Sequence, residues 1–392
     1  MDELRKLSLF TAQQSAGAAF KKPSPSRKAS PRPEDLQRPS LPSLISIHNG
    51  NYSSAAVGEA DLLRLGRQDN EAAGSVSGPA LEMVVVSRVE DDSIELPSDT
   101  FDALTNNMGI DPVTLQHVYM CSYGFYHYDD CRDPAAPSSS SSGTRSFFFG
   151  CFLFSLAWSV DIDTGKTSAI LILRTIARHY YGALPLKALE VGLRAYKDRL
   201  GSPLSLAFIL LAVLTHILDD NLYRNVKELR DIEGETKHGP SSKDPSGGHI
   251  PYMSAVSTGE EGARRENMER QDTDTGMQKL QENENNIEEL TRVAKKLADV
   301  NVHLANLGRH AKLLRIMAET LGDRLFRKGY RTRDGDGNIT DTTDTEFFLA
   351  LLPSLQRRLA AMEPSIEYLE DRAKGQHQVV GPALRFRPPQ LP

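Results

Sequence analysis

Residues 290–325 read LTRVAKKLADVNVHLANLGRHAKLLRIMAETLGDRL. Apolar side chains stand at Leu290, Val293, Leu297, Val300, Leu304, Leu307, Ala311, Leu314, Ala318, Leu321 and Leu325. The intervals alternate three and four without a miss. That is a heptad stripe, one apolar seam along a helix about 52 Å long at 1.5 Å per residue. A second stripe stands at Phe348, Leu352, Leu355, Leu359, Met362, Ile366, Leu369 and Ala373, and continues through Gln376 to Val380. Short-range connection of two such stripes predicts an antiparallel helical hairpin over 285–380, its seams facing each other or a shared partner. Pro364 lies inside the second stripe and is expected to kink or split that helix.

The joint between the stripes holds Asp334-Gly335-Asp336-Gly337-Asn338-Ile339-Thr340, which looks like the middle of an EF-hand loop. In that frame position 1 falls on Thr332 and position 12 on Thr343. Calcium needs an acidic first ligand and a bidentate last one. A Gly/Asp turn between helices explains the segment better. Arg324, Arg327, Lys328, Arg331 and Arg333 cluster at the end of the first stripe. A helix C-terminus favours cations through its dipole, and a phosphate or headgroup contact is the alternative.

Upstream, residues 233–284 carry scattered Gly and Pro and then acidic and amide residues, and are expected to be a disordered linker. Before it, 80–232 mixes strand and helix signals. Leu81 to Ser87 is β-rich. Pro97-Ser98-Asp99 opens a short helix with Ser98 or Asp99 as cap, and Asp111-Pro112 opens another through Val118. Tyr119 to Tyr128 is aromatic-rich and expected to be extended. Phe147 to Val160 and Thr167 to Leu173 read as two strands joined by Asp163-Thr164-Gly165-Lys166, a hairpin turn with Gly165 at positive φ. Leu184 to Leu200 reads as an amphipathic helix, and 204–218 as an apolar helix continuing to about Ile232. The serine run within 134–145 marks a flexible insertion. The expected fold class is α+β: a mixed amino-terminal domain with a β-hairpin, then a long helical, coiled-coil-like arm.

Residues 1–79 read as a disordered basic, Pro/Ser-rich tail, because Lys21 to Pro33 has no apolar period with which to offset ordering entropy. Arg27-Lys28-Ala29-Ser30 fits a basic-directed kinase site with Ser30 as acceptor. Residues 381–392, GPALRFRPPQLP, form a Pro-rich tail.

Composition narrows the function classes. Hydrophobic residues are 39%, with 28 glycines and 22 prolines, so part of the chain is expected to lie outside a core. The net charge of −6 argues against a nucleic-acid binder. Three cysteines make no disulfide framework, which points to a reducing compartment. The first residues contain no apolar signal region. The longest apolar run, 204–218, is shorter than the 18–20 or so residues a membrane span needs. The chain as written is expected to be soluble and cytoplasmic. His117, Cys121, His127 and Cys131 are zinc-ligand types. Their spacing is not that of a common finger and aromatic residues crowd the interval, so a half-buried strand is the preferred reading. No catalytic nucleophile, phosphate-binding glycine loop or paired-carboxylate frame stands out, and no enzyme is expected.

Four strings together resemble the fungal CorA-like group, which is similar to the soluble part of CorA-type magnesium transporters. They are Phe154 to Asp161 with the Thr164-Gly165-Lys166-Thr167 turn, Leu204 to Asp220, Leu290 to Leu325, and Ile366 to Val380. The resemblance implies a non-enzymatic cytoplasmic regulatory and assembly domain. It implies a homo-oligomer, in that family a pentamer, with Mg2+ as a regulatory ion sensed between protomers. The family runs on into two transmembrane helices and a Gly-Met-Asn pore signature. This chain stops at Pro392 without them, as a truncated form would, so no pore residue carries over. Membrane contact is expected only through such a missing carboxy-terminal part. The alternative expectation is a soluble scaffold whose seams, Leu290 to Leu325 and Leu355 to Leu369, bind a coiled-coil partner or a second copy.

Overall fold

The computed structural model describes Phe20, 41–65, 81–89, 93–129, 144–161, 165–174, 184–200, Ser202, 204–236, 272–328, 332–333, 339–340 and 343–385. The chain divides into two compact units, Met1–Ile217 with Lys312–Ala360, and Leu218–Ala311 with Ala361–Pro392. The boundaries fall inside three helices: α5 (Ser205–Thr236), α6 (Asp272–Lys328) and α7 (Thr343–Arg385). The fold class is α+β, as the sequence predicts.

The first unit is built on an eight-stranded sheet. Its strands are β1 (Ser43–His48), β2 (Asn51–Ala56), β3 (Leu81–Val89), β4 (Ser93–Ile94), β5 (Gly124–Asp129), β6 (Thr144–Gly150), β7 (Phe154–Asp161) and β8 (Thr167–Arg174). Their order is β2-β1-β3-β8-β7-β6-β5, with β4 paired to β3. Only the β3–β8 pairing is parallel. β3, β7 and β8 are buried almost throughout. Near-continuous apolar runs such as SAILIL mean burial on both faces.

Register separates the faces. Leu44, Val84, Ile170, Ala157, Phe148 and Tyr126 stand opposite one another across six strands. All of these except Leu44 and Tyr126 lie in one core cluster with Phe101, Leu104, Leu115 and Val118. Those four come from α2 (Ser98–Asn107) and α3 (Pro112–Tyr119), which cover that face; the short α1 (Glu59–Leu62) adds Leu62. The alternate row, Ile45, Met83, Ala169, Trp158 and Phe147, faces the other way and is equally buried. On that side α4 (Leu184–Ala195) sets the Arg194 guanidinium 4.3 Å from the centre of the Tyr52 ring. Gly192 lets α4 approach α5 closely, since a Cβ there would stand 2.6 Å from Val213. The Phe208 and Phe348 rings, 4.5 Å apart, join α5 to α7 within this unit. Gln356 Nε2 donates to Ala318 O at 3.3 Å and Gly322 faces Leu352, so α6 and α7 run antiparallel here.

The second unit contains the carboxy-terminal part of α5, residues 272–311 of α6 and 361–385 of α7. Leu218, Leu229, Ile232, Val293, Leu297, Val300, Leu304, Met362, Ile366, Leu369 and Val380 are all buried, so a stripe from each helix is enclosed. Glu233 pairs with Arg372 and Thr236 with Gln376, which makes α5 and α7 parallel.

Several expectations are corrected. The amino-terminal segment is not structureless throughout: β1, β2 and α1 occupy 43–62, and β1 pairs with β3. The alternation Leu44, Ser46 against Ile45, Ile47 is enough for β1 to pair with β3 once that strand is in place, with β2 at the edge beyond it. The Phe147–Val160 run is two strands, broken at Cys151 to Leu153, where Cys151 N donates to Phe154 O at 3.0 Å. The N-cap of α2 is Pro97, not Ser98 or Asp99, and it makes no side-chain cap hydrogen bond. The helix from Leu184 ends at Ala195 and gives way to a 3-10 turn at Lys197–Arg199. Residues Tyr119 to Tyr128 are part helix end, part turn and part β5. The linker expected over 233–284 is helical at both ends, because α5 continues to Thr236 and α6 starts at Asp272. α7 passes Pro353 and Pro364 without a break and continues to Arg385, into the expected tail. The arm over 285–380 is not a separate domain, since 312–360 belongs to the first unit.

The two strands of β9 (Thr332–Arg333) and β10 (Ile339–Thr340) pair antiparallel, a small hairpin flanking the EF-hand-like string. The insertion expected over 134–145 is corrected at its end, since Thr144 and Arg145 open β6 and pair with β7; its residues 134–143, Asp334 to Asn338, Ser30, Cys131 and the side chains of Arg324, Arg327, Lys328, Arg331 and Arg333 lie outside the described residues.

Candidate functional site

The seam residues are the first candidates. Val293, Leu297, Val300, Leu304, Leu307, Leu314 and Leu321 are at most 4% exposed, as are Leu359, Met362, Ile366 and Leu369. They are consumed by packing inside the units. The expectation of a partner seam is therefore corrected for these positions: a partner could reach them only by opening the fold. Leu290 and Leu355 are half-buried. The side chain of Leu325 lies outside the described residues.

The second unit carries a polar layer that the stripes do not announce. Glu233 is 4% exposed and accepts from Arg372 Nε at 2.9 Å, with a second contact from Nη2 to the other carboxylate oxygen. This two-point geometry is the strong form of a carboxylate–guanidinium pair. The hydrogen bond to Glu233 holds the Arg372 guanidinium above its ordinary pKa. Thr236 Oγ1 donates to Gln376 Oε1 at 2.8 Å. Glu235 pairs with Lys296 at 2.7 Å and Arg292 at 3.7 Å. Asn225 Nδ2 donates to Asn221 O at 2.8 Å. The Glu235 pairs lie at the surface, whereas the enclosed groups, Glu233, Gln376, Asn221 and Asn225, fix register and helix order, since a slipped arrangement would strand them. Two signals could have found this layer: Gln376 at a seam position, and Glu233 and Glu235 at the end of an apolar helix.

In the first unit, Arg88 and Arg174 are register partners at the end of the parallel pair, 2% and 4% exposed. Arg88 donates to Val118 O at 2.6 Å and Tyr119 O at 3.2 Å. Arg174 donates to Cys121 O at 3.2 Å, and its guanidinium lies 5.1 Å from the Tyr123 ring centre. Both arginines thus serve the carboxyl end of α3 and the turn after it, where unpaired carbonyls and the helix dipole attract cations. The arrangement orients a helix on the sheet. In the sequence it shows only as an arginine closing each of two apolar strands.

The structure separates the proposed zinc-type residues by role. His117 stacks on Tyr126 with ring centres 4.1 Å apart, and its Nε2 shares a 2.6 Å hydrogen bond with the Tyr128 hydroxyl. Burial pulls the His117 pKa down. His127 lies in the alternate position on β5, opposite Phe147. Among the described residues no group of three or more His, Cys, Asp and Glu is placed to hold a metal ion. α5 is long and apolar enough, by length and composition, to cross a membrane, and 72% of its apolar stretch is buried in the protein, as in a core helix.

Compared with protein-family models and with curated proteins, the chain matches none.

Proposed function

We propose that this chain is a non-enzymatic regulatory and assembly module of the kind found in the soluble part of CorA-like metal-ion transporters, working as a homo-oligomer with Mg2+ as its regulatory ion. The observation that supports it is the path of the chain. The polypeptide passes between its two units three times, each time inside a helix, at 217–218, 311–312 and 360–361. An independently moving domain pair is normally joined by exposed linkers. Three helices that run through the unit boundaries suit a regulatory and assembly module. The resemblance supplies the ion and the oligomer.

A thermal melt tests the regulatory ion. An effector that binds the folded chain raises its stability by mass action. The melting temperature should rise with MgCl2 in the millimolar range, beyond the change given by NaCl at matched ionic strength. Identical curves in the two salts would contradict a magnesium effector.

A further inference from the structure

Phe20 lies in the segment that composition assigns to a structureless tail, yet its ring is seated in the first unit. Its centroid is 5.4 Å from that of Phe101 at 57°, and 6.1 Å from that of Tyr119 at 68°. Phe101 and Tyr119 are themselves 6.1 Å apart at 57°. Three mutually tilted rings at these distances are in the favourable range for edge-to-face contact. Phe20 packs against the core cluster alongside Leu44, Val57 and Leu65, which line the same side of the sheet. With Phe20 in place Phe101 is fully buried, and the Tyr119 hydroxyl donates to the Asp102 carboxylate.

The surroundings suit the basic residues that adjoin Phe20 in the chain. Lys21 and Lys22 come next, with Arg27, Lys28 and Arg32 close behind. Asp102, exposed on α2 together with Asp99, bonds the Tyr119 hydroxyl of the seat, and Glu59 and Asp61 are exposed on α1. The Asp99 charge adds to burial in raising the Asp102 pKa.

We propose that the Phe101–Tyr119 seat is a docking site for the chain's own amino-terminal segment, with Phe20 as the anchor. In the chain Lys21 follows the anchor directly and Ser30 is ten residues on, a reach of at most about 36 Å at full extension. This inference is independent of the magnesium reading above.

Chymotrypsin digestion of the full chain tests it. The protease must take the phenylalanine ring into its own pocket, so a seated Phe20 is a poor site. Phe10 in the same tail is the internal reference, and a free peptide of residues 5–26 gives the intrinsic rates of both bonds. Cleavage after Phe20, relative to Phe10 and normalised to the peptide, should be slowed roughly tenfold or more. A normalised ratio near one overturns the proposal, and this arm needs no variant. In Phe101→Leu, with the fold checked by circular dichroism, the ratio should move toward one. Full protection of Phe20 in a folded Phe101→Leu chain would also overturn the assignment of the seat.

Discussion

Glu233 and Arg372 meet through two contacts inside the second unit, one of them 2.9 Å between Oε1 and Nε. They are 139 residues apart in the chain. The pair is worth more as a constraint than as a source of stability. Taking both charges out of water costs nearly what their attraction returns, but removing one partner strands the other. Arg372→Met should therefore destabilise the chain by about 3 kcal/mol, and Glu233→Met/Arg372→Met should recover most of that loss. Urea denaturation followed by helical circular dichroism measures both. A double variant no better than the single would show that the ion pair itself carries the stability.

The buried stripe makes a sharper contrast on one helix. Leu304 is fully buried and its neighbour Ala305 exposed. Leu304→Asp should cost at least about 3 kcal/mol, by burying an unpaired charge. Ala305→Asp should stay within about 0.5 kcal/mol. Equal melting temperatures for the two variants would mean that the stripe is not enclosed in solution.

Much of this architecture is legible in the chain. The three-and-four alternation marks most of the enclosed face of α6 and α7, Leu290 and Leu355 being only half-buried, because helix packing leaves little freedom in which positions face inward. The Gly165 turn is legible for a similar local reason: its φ is +69° and Asp161 N donates to Lys166 O across it. The β1–β2 hairpin is hidden because Leu44, Ile45 and Ile47 sit among serines, and a short edge hairpin is held by its partner strand more than by its own composition. The division of α5, α6 and α7 between two units is hidden for another reason. Periodicity reports which side of a helix is buried and says nothing of which neighbour buries it. The Glu233–Arg372 pair and the Arg88–Arg174 clamp are products of tertiary register: a polar residue at the end of an apolar helix or strand marks each position, and nothing local names its partner.

Acid should act through His310. It is half-buried, with both ring nitrogens shielded from water, and burial pushes its pKa down to about 4 against a backbone hydrogen bond at Asn306 that raises it. The unfolded chain protonates this histidine near pH 6.5, the folded chain only near 4. Between those values the unfolded state binds more protons, so stability falls as pH falls, by about 3 kcal/mol in all from this group. Stability curves at pH 7 and 5 should differ less in His310→Gln than in the native chain. An unchanged difference would remove His310 as the cause.

Glycines divide by what surrounds them. A Cβ at Gly150 would overlap the Ser122 carbonyl and come within 2.8 Å of the Phe148 ring, whereas one at Gly234, inside α5, meets nothing within 4 Å. Gly150→Ala should cost about 2 kcal/mol. Gly234→Ala should gain about 0.5–1 kcal/mol from helix propensity. Urea midpoints moving in the same direction would contradict these surroundings.

Assembly under magnesium control is open to a direct test by mass in solution. The full chain would be sized by light scattering coupled to gel filtration, once in EDTA and once in millimolar MgCl2 at the same ionic strength. The expected result is a discrete homo-oligomer whose population depends on magnesium and reverses when the ion is chelated. One unchanging mass under both conditions would contradict the proposed assembly.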